Sequence, residues 1–425
     1  MIKNSFINKI KSIFSSTSTV ILFVLLIDFC FDVSGDLIKI TFHNFRISFR
    51  IVLLVMLFFT LLGVFLFNNE WKKTFCNKWL LILVILCFLY FLVLFVISIN
   101  FYGFKAFSNS IRSYLPIPIL LVSFYNIYLS RTQVNVCRII LYLCSSIFSL
   151  FFFVIFIIFK FSSLDQSSLS NFANTINNFL KVRFIIPRPN GGGIYSPLQT
   201  MILISIFLLT FEIFILKKYK AVCFLIINLL CIFQSMTRTY YICLILFIAL
   251  VIIFGLFKNN KANFKKAALP LILYFVLVLI IMLLFGWQRI FSTAEPGTEK
   301  RTTDLNLIKE LVLNPLIMCG HGFGIFESKL GYTLIECEPL QALIQCGFLG
   351  LFLIFSTTFI FQKCRWRYFG EKPYYIVNSI IISLFVGSFF NPLLFNTSGV
   401  GLVLLCSYIL IYDSNTFLIK NQDTN

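Results

Sequence analysis

The 425-residue chain is 59% hydrophobic and 12% charged, about half the charge of a soluble globular protein, and its mean hydropathy is +0.95. Those figures exclude a soluble enzyme, a nucleic-acid-binding domain and a secreted disulfide scaffold. A membrane span takes roughly 20 apolar residues, so the chain holds material for about twelve. The net charge of +19 belongs in loops that orient such spans, not on a nucleic-acid face.

The expected fold is an all-α polytopic membrane protein, one integral membrane domain over residues 1–425. Lys3, Lys9 and Lys11 precede an apolar run from about Val20 to Phe31. No small-x-small cleavage site follows, so this reads as an uncleaved first span. Apolar runs then predict spans at 18–31, 47–67, 79–99, 113–129, 139–159, 198–216, 220–236, 239–257, 267–286, 341–361, 374–390 and 396–412. Twelve spans put both termini on one side. Alternate short breaks carry Lys72/Lys73/Lys78, Arg131/Arg138, Lys217/Lys218/Lys220, Lys258/Lys261/Lys265/Lys266 and Lys363/Arg365/Arg367/Lys372. With the N-terminal lysines and Lys420 they hold 20 of the 35 basic residues, which makes that side and both termini cytoplasmic.

Two long loops face the other way. The first, 160–197, is a Ser/Asn-rich linker over 161–178, then carries Lys181, Arg183, Pro187, Arg188, Pro189 and Gly191-Gly192-Gly193. The second, 287–340, carries Arg289, Lys300, Arg301, Lys309 and Lys329 among seven acids. Within it, 303–313 is a short amphipathic helix with Leu305, Ile308 and Val312 on one face. Asn314-Pro315 ends it. Most cysteines sit in apolar runs as small hydrophobes. Cys319 and Cys337 share the second loop, where a disulfide is the lesser of two readings. His43 and His321 have no Cys or carboxylate cluster at ligand spacing, so no metal site is expected. The 55 Phe read as lipid-facing and packing material.

Three segments carry candidate chemistry. Arg238, in Gln234-Ser-Met-Thr-Arg238-Thr239, falls at the tight outer turn between the seventh and eighth runs. It either snorkels to headgroups or clamps a lipid-linked phosphate, which a guanidinium matches bidentately. Asn314 to Gly324 is a Gly-rich loop in which Gly320 and Gly322 would let backbone pass close to a sugar or phosphate, or simply turn. Glu336 and Glu338 precede the tenth run, where each is either a solvated loop acid or an interfacial carboxylate able to serve as a general base.

The order of these motifs resembles the O-antigen polymerase and O-antigen ligase superfamily. In residues it runs Ser235 to Arg238, Arg301 through Lys309, Asn314-Pro315 to Gly322, Glu338 to Gly350, then Phe389-Phe-Asn-Pro-Leu393 before the last run. The resemblance covers about 230–412. Lys181 to Gly192 and Lys309 to Gly320 repeat a ten-residue basic-to-Gly spacing described for the polymerases, with Lys in place of Arg.

What the resemblance implies is a metal-independent, cofactor-free glycosyltransferase of the bacterial cytoplasmic (inner) membrane. It would serve O-antigen lipopolysaccharide or capsular polysaccharide biosynthesis by polymerising undecaprenyl-pyrophosphate-linked oligosaccharide repeats on the outer face. Arg238 and Arg301 would bind the pyrophosphate, with Arg183 or Arg188 as a third clamp. Arg289, Gly320 and Gly322 complete the pyrophosphate and glycan contacts. Where ligases show His before the tenth span this chain has Glu338, which favours the polymerase and makes Glu338 the candidate base, His321 the second. The alternatives are a ligase transferring glycan to lipid A-core and a flippase for the same lipid-linked unit. Implied partners are the bilayer, the lipid-linked oligosaccharide, and a chain-length regulator and flippase of the same pathway; no nucleic acid is implied.

Overall fold

In a computed structural model of the protein the described residues are 2–31, 39–42, 45–67, 78–111, 114, 119–120, 123, 127, 129–161, 166–180, 184–187, 194–235, 237–257, 261–290, 298–331, 337–368, 374–390, 393 and 397–422. In chain order the elements are α1 (Ile2–Phe31), a hairpin of β1 (Lys39–Phe42) and β2 (Phe45–Ser48), α2 (Phe49–Phe67), α3 (Lys78–Ile111), α4 (Arg131–Phe161) and α5 (Gln166–Leu180). A second hairpin, β3 (Ile186–Pro187) and β4 (Ile194–Tyr195), precedes α6 (Gln199–Phe214), α7 (Val222–Ser235), α8 (Arg238–Phe257) and α9 (Lys261–Ile290). The chain then forms α10 (Thr298–Val312), α11 (Ile325–Leu330), α12 (Glu338–Tyr368), α13 (Tyr374–Gly387) and α14 (Thr397–Gln422).

The fold is mostly helical, and a helix covers eleven of the twelve apolar runs; most of the fourth, 113–129, lies outside the described residues. Among the described residues, four helical segments are long and apolar enough to cross a membrane: Ser12–Cys30, Ile85–Phe107, Arg131–Phe161 and Arg238–Gly255. Large apolar side chains stay uncovered along them, Phe88 at 65% and Phe101 at 77% exposure among others. Such surface is tolerable only against lipid or another protein.

The centre is α6. Every residue from Gln199 to Ile213 is buried, as expected of a helix apolar all round, and α4, α7, α8, α9, α13 and α14 all touch it. Its polar groups pair with its neighbours'. Ser145 Oγ donates to Ser205 Oγ at 2.9 Å, Asn228 Nδ2 donates to both hydroxyls, and Ser149 Oγ donates to Asn228 Oδ1 at 2.8 Å. Between membrane helices such bonds are worth about 0.6 kcal/mol each; their larger effect is to fix the register of α4, α6 and α7.

Two buried carboxylates, Glu212 and Asp28, are paired with cations. Glu212 lies 3.2 Å from Arg138 and 3.6 Å from Lys218. At the junction of α1 and α2, Arg50 Nε donates to Asp28 Oδ2 at 2.7 Å, both side chains buried, with the guanidinium 4.7 Å from the Phe29 ring centroid. Asp28→Ala strands the Arg50 charge and is expected to cost about 3–5 kcal/mol; thermal unfolding in detergent, with the far smaller loss expected of Asp28→Glu as control, checks it.

Several expectations are corrected. The linker expected at 161–178 contains α5, whose apolar Leu169, Ala173, Ile176 and Leu180 recur at helical spacing beneath the Ser and Asn residues. The amphipathic helix of the second loop starts earlier, at Thr298. It buries Asp304, Leu307, Ile308 and Leu311 rather than the Leu305/Ile308/Val312 face, and Leu305 is 57% exposed. The reason is its partner: Ile317, Ile325, Phe326 and Ile344 form a satellite core against Leu307 and Leu311. Cys319 and Cys337 are both free, in line with the favoured of the two sequence readings. The two hairpins are further additions, β1–β2 pairing Lys39 with Ser48 and β3–β4 pairing Ile186 with Tyr195.

Candidate functional site

Two interrupted helices build the site. α3 breaks at Gly103 (φ 78°, ψ 161°) and α12 at Gly347 (φ 70°, ψ 173°), and the two helices pack on each other. A break leaves carbonyls of the preceding turn without intrahelical donors, which apolar surroundings do not tolerate. The Gly-rich loop supplies the donors for α12. The His321 N–H donates to Ile344 O at 2.8 Å and the Gly322 N–H to Gln345 O at 3.1 Å. The single Tyr90 hydroxyl reaches both Cys346 O (2.5 Å) and Cys319 O (2.6 Å).

This contact is backbone on backbone, which is why glycines face each other. A Cβ on Gly320 (φ 79°) would stand 2.5 Å from Gln345 O, and one on Gly347 would stand 2.6 Å from Cys319 C. On the opposite side of the loop, the Phe323 N–H donates to Ser98 Oγ at 2.7 Å. Gly320 and Gly322 are buried, and the close approach their conformation permits is to the chain's own α12 and α3.

His321, 7% exposed, is held at three points. Besides its amide bond, its carbonyl accepts from Tyr102 Oη at 2.9 Å, and its Nε2 lies 3.0 Å from Leu311 O. A carbonyl only accepts, so Nε2 carries the proton and Nδ1 is the basic nitrogen of the neutral ring.

Glu338 opens α12 and is buried, 4% exposed. Its N–H donates to Ser388 O at 3.0 Å, and its Oε2 accepts from the Leu393 N–H at 2.9 Å. The carboxylate therefore sits on the turn that follows α13. Arg238 is the first residue of α8, which packs on α13. A Cβ on Gly387 would stand 3.3 Å from Thr239 Cγ2, and the Arg238 Nε is buried. Thus Glu338 is bonded to Ser388 and Leu393 beyond α13, and Thr239, next to Arg238, lies against Gly387 at the end of that helix. A helix N-terminus favours an anion, and α8 opens on Arg238.

The first long loop is fastened to the same place. The Ile194 N–H donates to Gln234 Oε1 at 3.2 Å, Gln199 Nε2 donates to Ile194 O at 2.9 Å, and Tyr195 stacks on Tyr240 at 6.4 Å. Lys181, Arg183, Arg188 and Gly191 to Gly193 lie outside the described residues. Arg289 falls in the last turn of α9 and Arg301 in the first turn of α10; their side chains lie outside the described ones. α10 itself packs on α12.

The sequence reading overlooked Gln341 and Gln345. With Glu338 they follow i, i+3, i+7 spacing, a polar stripe on the unbroken start of α12, and all three are buried. Tyr114 lies within electrostatic reach of both Glu338 and Cys346 and touches Phe323, ring centroids 5.5 Å apart. The spacing was visible in an apolar run; what the stripe meets was not. Among the described residues no three His, Cys, Asp or Glu side chains group as metal ligands. No protein-family model matches the chain, and no curated protein or solved structure gives a significant match.

Proposed function

We propose that this chain is a polymerase of undecaprenyl-pyrophosphate-linked oligosaccharide repeats, spanning the bacterial cytoplasmic membrane about twelve times with both termini cytoplasmic. The observation that carries the reading is the buried Glu338 carboxylate, bonded to the backbone beyond α13, together with Arg238 at the start of α8, the helix that packs on α13. In the proposed step an acceptor sugar hydroxyl gives its proton to Glu338 while its oxygen attacks the anomeric carbon of the growing chain. The glycosyl–phosphate bond breaks, and undecaprenyl pyrophosphate departs with the electron pair against Arg238 and Arg301. Oriented cations at the developing charge are the largest lever such a site has.

A flippase for the same lipid-linked unit is the second reading, favoured by the interrupted helices α3 and α12, since transporters build substrate sites at broken helices. Deleting the gene in its own host, with plasmid complementation, separates the readings by the surface-glycan profile on a gel. Lipid core carrying one repeat is the polymerase result. Bare core with single units held on the cytoplasmic side is the flippase result, and long chains left on the carrier would mean a ligase. Glu338→Gln refines the test. Gln keeps an oxygen to accept from the Leu393 N–H but cannot take the acceptor proton, so protein level should hold while polymer falls by about 10²-fold or more. Normal polymer from this variant removes Glu338 as the base.

A further inference from the structure

We propose that the exposed face of α5 is a docking platform for an uncharged glycan; its placement on the outer side of the membrane rests on the reading above. The helix Gln166–Leu180 contains no ionisable residue, in a chain whose net charge is +19. Its outward face presents Asn171, Asn174, Thr175 and Asn178, with Phe172 and Phe179 beside them. Phe179 is 84% exposed and Phe172 37%.

The usual occupant of an amphipathic surface helix is the bilayer, which takes the apolar face while Lys and Arg line the polar one. Neither condition holds here. The apolar face is already covered, Ala173 being fully buried and Leu169 and Ile176 packed on the main core. The polar face offers no cation to an anionic headgroup or nucleic acid. It offers carboxamides, each both donor and acceptor, and two aromatic rings seven residues apart, about 10.5 Å along the axis. Paired hydroxyls and the apolar flank of a sugar ring answer those groups.

The platform is fixed in place. Asn177 Nδ2 donates to Ile185 O at 2.7 Å, and its Oδ1 accepts from the Phe184 and Ile185 N–H groups at 2.8 and 2.9 Å. Phe184 is seated among Phe148, Phe151 and Phe152, and Phe159 touches Phe172 at 5.9 Å. A surface held this firmly loses little entropy when a ligand lands on it.

The test uses the full-length protein in phosphatidylethanolamine/phosphatidylglycerol nanodiscs, with Phe179→Trp as a fluorescence reporter. The probe is surface polysaccharide released from the host by mild acid. The expected result is a saturable emission shift whose half-point moves at least tenfold higher in an Asn174→Ala/Asn178→Ala background; these side chains do not touch the core, so folding is kept. No response to the polysaccharide, or a response unchanged in the double variant, overturns the proposal. So does a reporter already quenched by doxyl-labelled lipid, which would give the face to the bilayer. The titration needs no turnover, so its failure is distinct from retained polymer after gene deletion, which would sink the polymerase reading instead.

Discussion

Alanine at Gly347 is expected to destabilise the protein by about 2–6 kcal/mol, whereas alanine at Gly103 should cost about 1–3 kcal/mol. Both glycines interrupt helices at positive φ with ψ near the extended range, a conformation that strains any L side chain by similar amounts. They differ in surroundings. Nothing lies within 4 Å of a Cβ built on Gly103, while one on Gly347 runs into Gly320 N, Cys319 C and Met318 O. Those are backbone atoms and cannot rotate aside. Separating them would also pull the His321 and Gly322 amides from Ile344 O and Gln345 O, leaving buried acceptors without donors at about 1–3 kcal/mol each. Thermal unfolding in detergent, followed by size-exclusion of the heated sample, measures both variants. Equal losses would mean that backbone strain alone matters and that the loop does not brace the break.

The helices were legible in the sequence because apolar runs about 20 residues long leave little else to form. The breaks within them were not. Gly103 and Gly347 look like any glycine in an apolar run, and only a neighbour able to supply donors, the loop at 320–322, makes an interruption at Gly347 tolerable. α5 escaped notice for the opposite reason, since Ser and Asn outnumber the apolar residues that make its helical stripe. The buried face of α10 was misread because Leu305 and Leu307 fit the periodicity about equally well. The position of Ile317, Ile325, Phe326 and Ile344 decides between them.

The candidate site divides the same way. Arg238 and Glu338 could be singled out as charges at the ends of apolar runs, a costly place for them without a role. That Arg238 opens a helix packed on α13, and that Glu338 bonds to Ser388 and Leu393 beyond it, rests on contacts with no local signal. Asp28 and Arg50 lie at the facing ends of consecutive apolar runs, so opposite charge was a usable clue to their pairing. His321 and the loop glycines carry a pattern that suggested ligand contact. In the fold that pattern is accounted for by Leu311, Tyr102 and the broken turn of α12.

Arg238 is where the phosphate-clamp and snorkelling readings diverge most. If its guanidinium meets the departing pyrophosphate, Arg238→Ala should lower polymer formation by about 10²–10³-fold, the usual loss on removing one charge-stabilising donor, with protein level unchanged. Arg238→Lys keeps a cation and a long stem but not the planar fork, so it should recover only part of the loss. Snorkelling requires only charge and reach, and on that reading Lys would restore polymer fully. Arg301, in the first turn of α10, is proposed to meet the same pyrophosphate, so Arg301→Ala should lower polymer to a similar degree. If both contact one leaving group, the double variant should lose less than the product of the single losses, as residues acting as a unit do. The measurement is glycan chain length and amount on a gel, normalised to protein in the membrane fraction. Wild-type polymer in either alanine variant would remove that residue from the pyrophosphate site, and multiplicative losses in the double variant would place the two arginines at separate steps.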